Sequence, residues 1–383
     1  MAFPYSQTTS RVGQVSRVGN VRAMFLRKMA GNIINFTSTH SLARNLATVE
    51  QVSGAKGATF KILGNARAKF HTSGELIQGD DGSNGEVYID FDDYLYTTSF
   101  ISELDSAMVE KFKYNSKQSV ANGSELNRAM DSMFLRAIAK GSLITSLSKA
   151  RSEIGSEHIS ADVNYTKPIA VDTEHTDRTE QLVKALVMAR GDFTDVDPVA
   201  VLTPEAYGLL GEASGSMSMG TKELPFGKGG TNITVPTLTG MPIICSDLFP
   251  NSDETNDSRV IPSPNADNVE GSGREDRYRG DFQGMLGAVF SKEAVGMVIH
   301  NDVETTLDEE PFRCGYNITS KVLCGFGLLR PDRVTGIIAR DSALFNSASS
   351  AGVHVRDLNQ LRPSPIPTTT SAPSSAPEPV AKK

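Results

Sequence analysis

Apolar residues spaced by three and four run through Leu126, Met130, Met133, Phe134, Ala137, Ile138 and Gly141, a stripe that lines one face of a helix. The pattern extends back through Val120 toward Lys113. It predicts a helix of roughly 28 residues, about 42 Å at the standard rise, with Gly123 a weak point that can bend it. Such a helix is more than twice the average length, which suits a spine. Its Met and Leu stripe by itself asks only for a core helix. Upstream the period changes to two. Phe60, Ile62 and Phe70 lie in strand-like stretches, and Val87, Ile89 and Phe91 alternate with Tyr88, Asp90 and Asp92. Between them Gly74 to Gly85 forms an acidic, glycine-rich tip. A hairpin this long and polar has no evident core of its own, and two isolated strands are marginal in water. It is expected to project and lie on another surface.

Residues 176–340 read as a mixed α/β unit. Thr176 is placed to cap a helix carrying Leu182, Val183, Leu186 and Val187. Pro198 to Leu202 is strand-like, and Thr203-Pro204-Glu205 opens a further helix with proline in its first turn. Met241 to Cys245, Arg259 to Ile261 and Met285 to Phe290 are short strands. The glycine-rich stretches Gly211 to Asn232 and Asn251 to Asp281 read as long loops, which usually serve contacts. Asp302 to Leu307, Asn317 to Leu323 and Val334 to Ala339 are expected to form a sheet that closes the fold. The first fifty residues, with one short helix over Val21 to Met29, read as an arm that needs a partner surface to become ordered. From Pro363 the chain is a low-complexity Pro, Ser, Thr and Ala tail.

Composition narrows the class. The chain has 383 residues, 39% hydrophobic and 22% charged, ordinary for a soluble protein of about two domains. No run is long enough to span a membrane, and no signal peptide is expected at the N-terminus. Three cysteines without CxxC spacing, Cys245, Cys314 and Cys324, are expected to be small buried hydrophobes rather than a disulfide framework or zinc site. A net charge of −7 argues against a general nucleic-acid binder. The distribution of charge says more. Residues 1–49 hold six basic side chains (Arg11, Arg17, Arg22, Arg27, Lys28 and Arg44) and no acid. His71 to Glu110 holds ten acids, among them Glu75, Asp80, Asp81 and Glu86, and no Lys or Arg. Segregation of this kind suits segments that meet across a boundary between molecules. Arg11, Arg17, Arg22, Arg27 and Lys28 facing Glu75, Asp80, Asp81 and Glu86 are the candidate intersubunit contacts.

Motifs for chemistry are absent or fail. Phe226-Gly227-Lys228-Gly229-Gly230-Thr231 lacks the leading glycine of a phosphate loop, where Lys222 stands, and has Gly229 in place of Ser or Thr after the lysine. Asp172, Glu174, His175 and Asp177 sit where a helix start favours acids. Asp90, Asp92 and Asp93 fit a solvated strand edge better than a metal or acid/base site. The six histidines have no ligand spacing, and no nucleophile elbow occurs. No catalytic residue, metal or cofactor is expected.

The order of basic arm, acidic hairpin, long helix, loop-rich α/β unit and closing strands resembles the major capsid proteins of short-tailed double-stranded DNA phages, podoviruses of the Autographivirus group. The likeness is carried by Phe60-Lys61-Ile62-Leu63-Gly64-Asn65-Ala66-Arg67-Ala68, Ser73-Gly74-Glu75 and Asp105-Ser106-Ala107-Met108. It continues in Gly123-Ser124-Glu125-Leu126, Ala129-Met130, Val201-Leu202-Thr203-Pro204-Glu205-Ala206-Tyr207, and Gly325 through Leu329-Arg330-Pro331. It implies an α+β chain with the tailed-bacteriophage major capsid (Hong Kong ninety-seven) fold. The implied parts are an arm (1–54), an extended hairpin loop (55–98), a peripheral domain with the spine helix (99–165), an axial domain (166–300), closing strands of the peripheral domain (301–345) and a tail (346–383). It also implies a non-enzymatic, self-assembling subunit of the virion head, built in the host cytoplasm into hexamers and pentamers. The partners it implies are scaffolding protein, a portal and loosely held double-stranded DNA, with no membrane. Covalent Lys–Asn links known in some relatives find no basis here, since the hairpin has no Lys beyond Lys69. An encapsulin-type cellular compartment shares the fold and is the alternative reading; a cytosolic α/β enzyme with a dispersed site is the other.

Overall fold

The apolar stripe forms the helix it predicts, and the helix organises everything else. The computed structural model describes residues 41–63, 70–71, 73–74, 76, 84–102, 111–144, 168–172, 178–193, 196–213, 220–224, 233–257, 260, 277–310, 313–340, 342, 345 and 355–358. Among them lie four α-helices: α1 (Leu42–Leu46), α2 (Lys111–Ser142), α3 (Arg178–Gly191) and α4 (Pro204–Ala213). The strands are β1 (Thr48–Gln51), β2 (Gly57–Leu63), β3 (Asn84–Asp90), β4 (Tyr94–Ser102), β5 (Ile169–Val171), β6 (Val199–Leu202), β7 (Gly220–Leu224) and β8 (Ile233–Leu238). They continue with β9 (Met241–Cys245), β10 (Met285–Phe290), β11 (Val295–Ile299), β12 (Glu304–Glu310), β13 (Gly315–Leu328), β14 (Val334–Ala339) and β15 (Arg356–Asp357). Among the described residues no helix is long and apolar enough to cross a membrane.

Helix α2 runs 32 residues and passes through Gly123 without interruption. A glycine inside a helix costs about 1 kcal/mol, and here local bonds hold the turn. Gln118 Nε2 donates to Ser99 Oγ on β4, and Ser99 Oγ donates to Asn122 Oδ1, each at 2.8 Å. The spine is also a packing element. Leu126, Met130, Phe134, Leu135, Ile138 and Ala139 are fully buried.

Two sheets meet on this helix. In the first, β11 and β12 follow one another along one side of β13, β4 pairs with the other side of β13, and β1 adds parallel to β11. The second has eight strands in the order β15-β5-β14-β10-β6-β9-β8-β7, parallel and antiparallel pairs mixed. Helices α3 and α4 cover one face of it, placing Leu182, Leu186, Ala206 and Leu210 against Ala200, Leu202, Val289 and Ile337. Val201, Ala288, Phe290 and Ile338 point the other way, into the core shared with α2. The joint is Phe134. Its ring meets Phe290 of the eight-stranded sheet edge-on at 5.8 Å and Phe326 of the five-stranded sheet at 6.4 Å.

Several expectations need correction. The three late strands divide between the sheets: β12 and β13 lie in the first, whereas β14 pairs with β10 and β5 in the second. A 3₁₀ turn over Pro331–Arg333 redirects the chain between them, and β14 is buried from Val334 to Ile338 because both its faces are covered. β4 crosses the 98/99 boundary between hairpin loop and peripheral domain. The long loop Gly211 to Asn232 contains β7, which pairs with β8 as a polar edge hairpin. Of Arg259 to Ile261 only Val260 is described, and it lies in a bend. Val187 is exposed while Leu182, Val183 and Leu186 are buried. Of the cysteines only Cys324 is buried; Cys245 and Cys314 are exposed, and none of the three forms a disulfide. Thr176, the arm through His40 and the tail from Pro363 lie outside the described residues.

The hairpin base has a core after all. β2 and β3 pair in register from Gly57↔Asp90 to Leu63↔Asn84. Their inward residues Ala58, Phe60, Val87 and Ile89 are buried against Ile144, Val298 and Leu329 of the same chain. Period-two alternation gives this ribbon one apolar face, and the end of the five-stranded sheet receives it. Phe70, expected in a strand, is fully exposed and irregular.

Candidate assembly surfaces

The first surface is the root of the hairpin. Asp90 and Asp92 are not a solvated edge. Arg277 Nη2 donates to Asp90 Oδ1, and Nη1 donates to the Asp90 carbonyl at 3.3 Å. The Tyr278 hydroxyl donates to Asp92 Oδ2 and accepts from the Phe326 N–H at 3.2 Å. Asp92 N–H in turn donates to the Cys324 carbonyl at 3.2 Å. The expectation of solvent exposure holds for Asp93 alone. The close fit needs glycine on β13: a Cβ on Gly325 would stand 2.3 Å from the Asp90 carbonyl oxygen.

Electrostatics follow from this burial. Desolvation, reinforced by Asp92, pushes the Tyr278 hydroxyl well above the usual phenol range, so it stays a donor. Desolvation with Asp92 nearby raises the Cys324 thiol to about 12, which leaves it an inert hydrophobe. Burial opposes the charge of Arg277, but Tyr278, Asp92 and Asp90 outweigh it and hold the guanidinium charged. The result is a bolt that fixes the direction in which the hairpin leaves the body.

A second anchor lies where the described chain begins. Asp131 of α2 accepts from Ser41 Oγ at 3.0 Å and from Ala43 N–H at 2.9 Å, so it caps α1 across 90 residues of sequence. Burial lifts its carboxyl to about 6 against the pull of the Ala43 and Leu42 N–H groups and Ser41. Arg44 bonds Asp302 at 2.9 Å. One of the six N-terminal bases is thereby engaged within the chain.

The third surface is the outer face of β4, β13 and β12. Along β4 the alternation sends Leu95, Thr97, Ser99 and Ile101 inward, whereas Tyr94, Tyr96 and Phe100 remain 53%, 68% and 46% exposed. Opposite them on β13 stand Leu323, Lys321 and Asn317. Lys321 lies 5.2 Å over the Tyr94 ring and bonds Glu304 at 3.3 Å. β12 supplies Glu304, Asp308, Glu309 and Glu310. Solitary exposed hydrophobes need no explanation, but a row of aromatics on one strand marks an interaction surface.

Of the predicted contact residues, Arg11, Arg17, Arg22, Arg27, Lys28, Glu75, Asp80 and Asp81 lie outside the described residues. Glu86 is exposed on β3, with Lys61 of β2 directly opposite in register. Asp172 is buried, and its N–H donates to Gln181 Oε1 at 3.0 Å; Glu174, His175 and Asp177 are outside the described residues. The glycine-rich segment Phe226 to Thr231 is outside them too. Among the described residues no cluster of His, Cys, Asp and Glu is arranged to hold a metal. Sequence reasoning missed Arg277 and Tyr278, whose partners lie some 190 positions away. It also passed over Tyr94, Tyr96 and Phe100, although their period-two spacing in an uncharged strand was a readable signal.

A spine helix clamped between a two-faced sheet and a one-faced sheet, with a hairpin bolted to the rim, is an architecture with known counterparts. The model of the Gp10A-like family, described as major capsid protein, matches residues 59–338. The chain belongs to the Gp10A-like major capsid protein family. The major capsid protein of Escherichia phage T7 is 24% identical to this capsid protein over 203 residues, 51% of this chain and 58% of the T7 protein. The T7 minor capsid protein is likewise 24% identical over 203 residues, covering 50% of that relative. The capsid protein spans about half the length of the curated relatives it matches. Among solved structures, the capsid of cyanophage P-SCSP1u superposes with a TM-score of 0.56 at 20% identity, covering 86% of this chain and 92% of that one. The mature capsid of bacteriophage PhiM1 gives 0.53 at 15% identity, covering 79% and 88%. The α+β capsid fold implied by the order of segments is thus the fold of this chain. Membership of a phage capsid family disfavours the cellular-compartment alternative.

Proposed function

We propose that copies of this capsid protein close into hexamers and pentamers that form the icosahedral head shell around the double-stranded DNA of a short-tailed phage. The observation that carries the reading is the division of labour within one chain. One sheet is buried on both faces through its central strands, while the other is joined to it through Phe134 and turns a row of aromatics outward. Rings built from one chain need heterologous contacts that close, and only closure avoids open fibres. In this reading the five-stranded sheet and the spine form the peripheral part, the eight-stranded sheet forms the axial part, and the hairpin lies over a neighbour.

The basic arm, through Arg11, Arg17, Arg22, Arg27 and Lys28, meets the acidic hairpin, through Glu75, Asp80, Asp81 and Glu86, of an adjacent copy. One exposed ion pair contributes only about 0.2–1 kcal/mol, but a network repeated over many copies fixes register and rejects wrong docking. The subunit performs no catalysis. It assembles in the host cytoplasm with a scaffolding protein and a portal, and it touches packaged DNA without sequence preference.

Electron microscopy of the purified chain tests this directly: closed shells or ring-shaped capsomers support it, and a small discrete oligomer overturns it. Replacing Arg17, Arg22 and Arg27 by Glu is expected to abolish particles while the subunit stays folded. A normal particle yield from that triple variant removes the arm–hairpin contact.

A further inference from the structure

The two outer strands flanking β13 are unlike each other. β12, Glu304-Thr305-Thr306-Leu307-Asp308-Glu309-Glu310, carries four acids in seven residues. A second copy of such an edge is repelled, a common way of protecting an exposed strand. β4, Tyr94-Leu95-Tyr96-Thr97-Thr98-Ser99-Phe100-Ile101-Ser102, has nine residues with no charge and no proline. Among the described residues it pairs with β13 on one side only. A long edge of aromatic and β-branched residues without a gatekeeper invites another strand.

The sequence of β4 also states which strand fits. About Thr98 it reads nearly the same in both directions. In an antiparallel pairing centred there, Thr97 opposes Ser99, Tyr96 opposes Phe100 and Leu95 opposes Ile101, each with a residue of its own kind. Tyr96 and Phe100 are on the exposed face, so a twofold would create two aromatic cross-strand pairs outside. Leu95 and Ile101 are on the inner face, where the pairing would extend the apolar layer under both sheets. No like charges meet.

We propose that β4 is a self-complementary seam at which two copies of this chain pair edge to edge across a twofold axis, joining their sheets into one. This rests on the shell reading above. The seam is isologous, unlike the heterologous contacts within a ring, so it links one capsomer to the next. Nine residues a side is well below the roughly 20–30 of a stable interface. The pairing is therefore too small to hold a free dimer and forms only where other contacts already align the copies.

The test places a charge at the exposed twofold centre. Thr98→Lys and Thr98→Glu should each leave the subunit folded by circular dichroism. Each should lower the yield of closed particles by about tenfold or more, equivalent to about 1.4 kcal/mol per effective step, because like charges then face each other. Co-expressing the two variants should restore particles severalfold over either alone. Normal assembly of either single variant, or no recovery in the mixture, overturns the seam. A Glu variant that assembles while the Lys variant fails instead identifies a basic segment as the strand's partner, and the seam is also overturned. If the parent chain forms shells and the variants do too, only the seam falls; if the parent chain forms none, the shell reading falls with it.

A second readout uses Thr98→Cys in a chain with Cys245 and Cys314 changed to Ser. Opposed residues in an antiparallel pair have Cα atoms about 4.5–5.5 Å apart, within disulfide reach. Oxidised particles should yield cross-linked dimers on denaturing gels, and monomer alone overturns the proposal.

Discussion

The eight-stranded and five-stranded sheets share one helix but are finished differently. The first is covered by α3 and α4 on one face and by α2 on the other, so β6, β10 and β14 read as near-continuous apolar runs. The second rests on α2 with its inner face, its outer face is covered by the hairpin only at the β11 end, and the strands beyond that end alternate: β13 buries Ile318, Ser320, Val322 and Cys324 while Asn317, Thr319, Lys321 and Leu323 stay partly exposed. Stability and association are thereby encoded in different strands. A two-faced sheet supplies the fixed body, and a one-faced sheet presents a surface whose completion requires another molecule.

Removing the joint at Phe134 is expected to have the largest effect. Phe134→Ala leaves a cavity between Phe290 and Phe326, and truncating a buried phenylalanine typically costs about 3–5 kcal/mol. Denaturant unfolding of a soluble capsomer should show that loss in a single transition sensed from both sheets. Two separate transitions in the parent chain would show that the sheets are independent units and that the helix is merely shared.

The hairpin bolt is expected to matter less. Tyr278→Phe deprives the Phe326 N–H of the hydroxyl it donates to and Asp92 of one of its partners, at about 1–3 kcal/mol. Arg277→Met leaves Asp90 without its guanidinium partner and should cost a similar amount. Hydrogen exchange of residues 84–92 should accelerate in both variants while the eight-stranded sheet remains protected. Equal acceleration in the two sheets would mean that the bolt holds the whole body and not the hairpin.

These two joints also show what was legible in the residues and what was not. The spine was readable because seven apolar positions repeat at helical spacing within one window, and strands β6, β9, β10 and β14 because each is a short apolar run. The Tyr278 to Asp92 bond was invisible, since its members are separated by 186 positions and each alone looks like a loop residue. The assignment of β14 to the wrong sheet had a related cause: proximity in sequence to β12 and β13 says nothing of the turn at Pro331. The hairpin's core at Phe60, Val87 and Ile89 was underestimated because the surface that buries it comes from Val298 and Leu329, far along the chain. The candidate contact surface was half visible. Charge segregation led to the proposal of the arm and the hairpin tip, whereas the aromatic row on β4 was passed over, because exposed aromatics on a strand cannot be told from buried ones until the sheet shows which face is bare.

A smaller effect concerns the anchor of α1. The Asp131 carboxyl, lifted to about 6 mainly by burial, takes up a proton as pH falls through 6, whereas an unfolded aspartate does so only near 3.8. The folded state therefore binds more protons across that window. Stability rises as pH drops from 7 to 5 and is lost again as pH climbs past 6, by about 1 kcal/mol at most. Asp131→Asn should flatten this slope while its Oδ1 still accepts from Ala43 N–H. An unchanged slope would show that another group governs the acid side.

The smallest effect on stability is expected on the open face. Tyr96 is 68% exposed on the open face, and surface substitutions away from buried features usually stay within about 0.5 kcal/mol. Tyr96→Ser should thus unfold at nearly the same denaturant concentration as the parent. An equally conservative polar change on the two-faced sheet, Val289→Thr, buries a hydroxyl and should cost about 1–3 kcal/mol. Particle yield is expected to reverse the order, falling for Tyr96→Ser and holding for Val289→Thr under conditions where both are folded. If the two measurements instead ranked the variants alike, the open face would be only a weaker piece of the same core, and the separation of body from contact surface would fail.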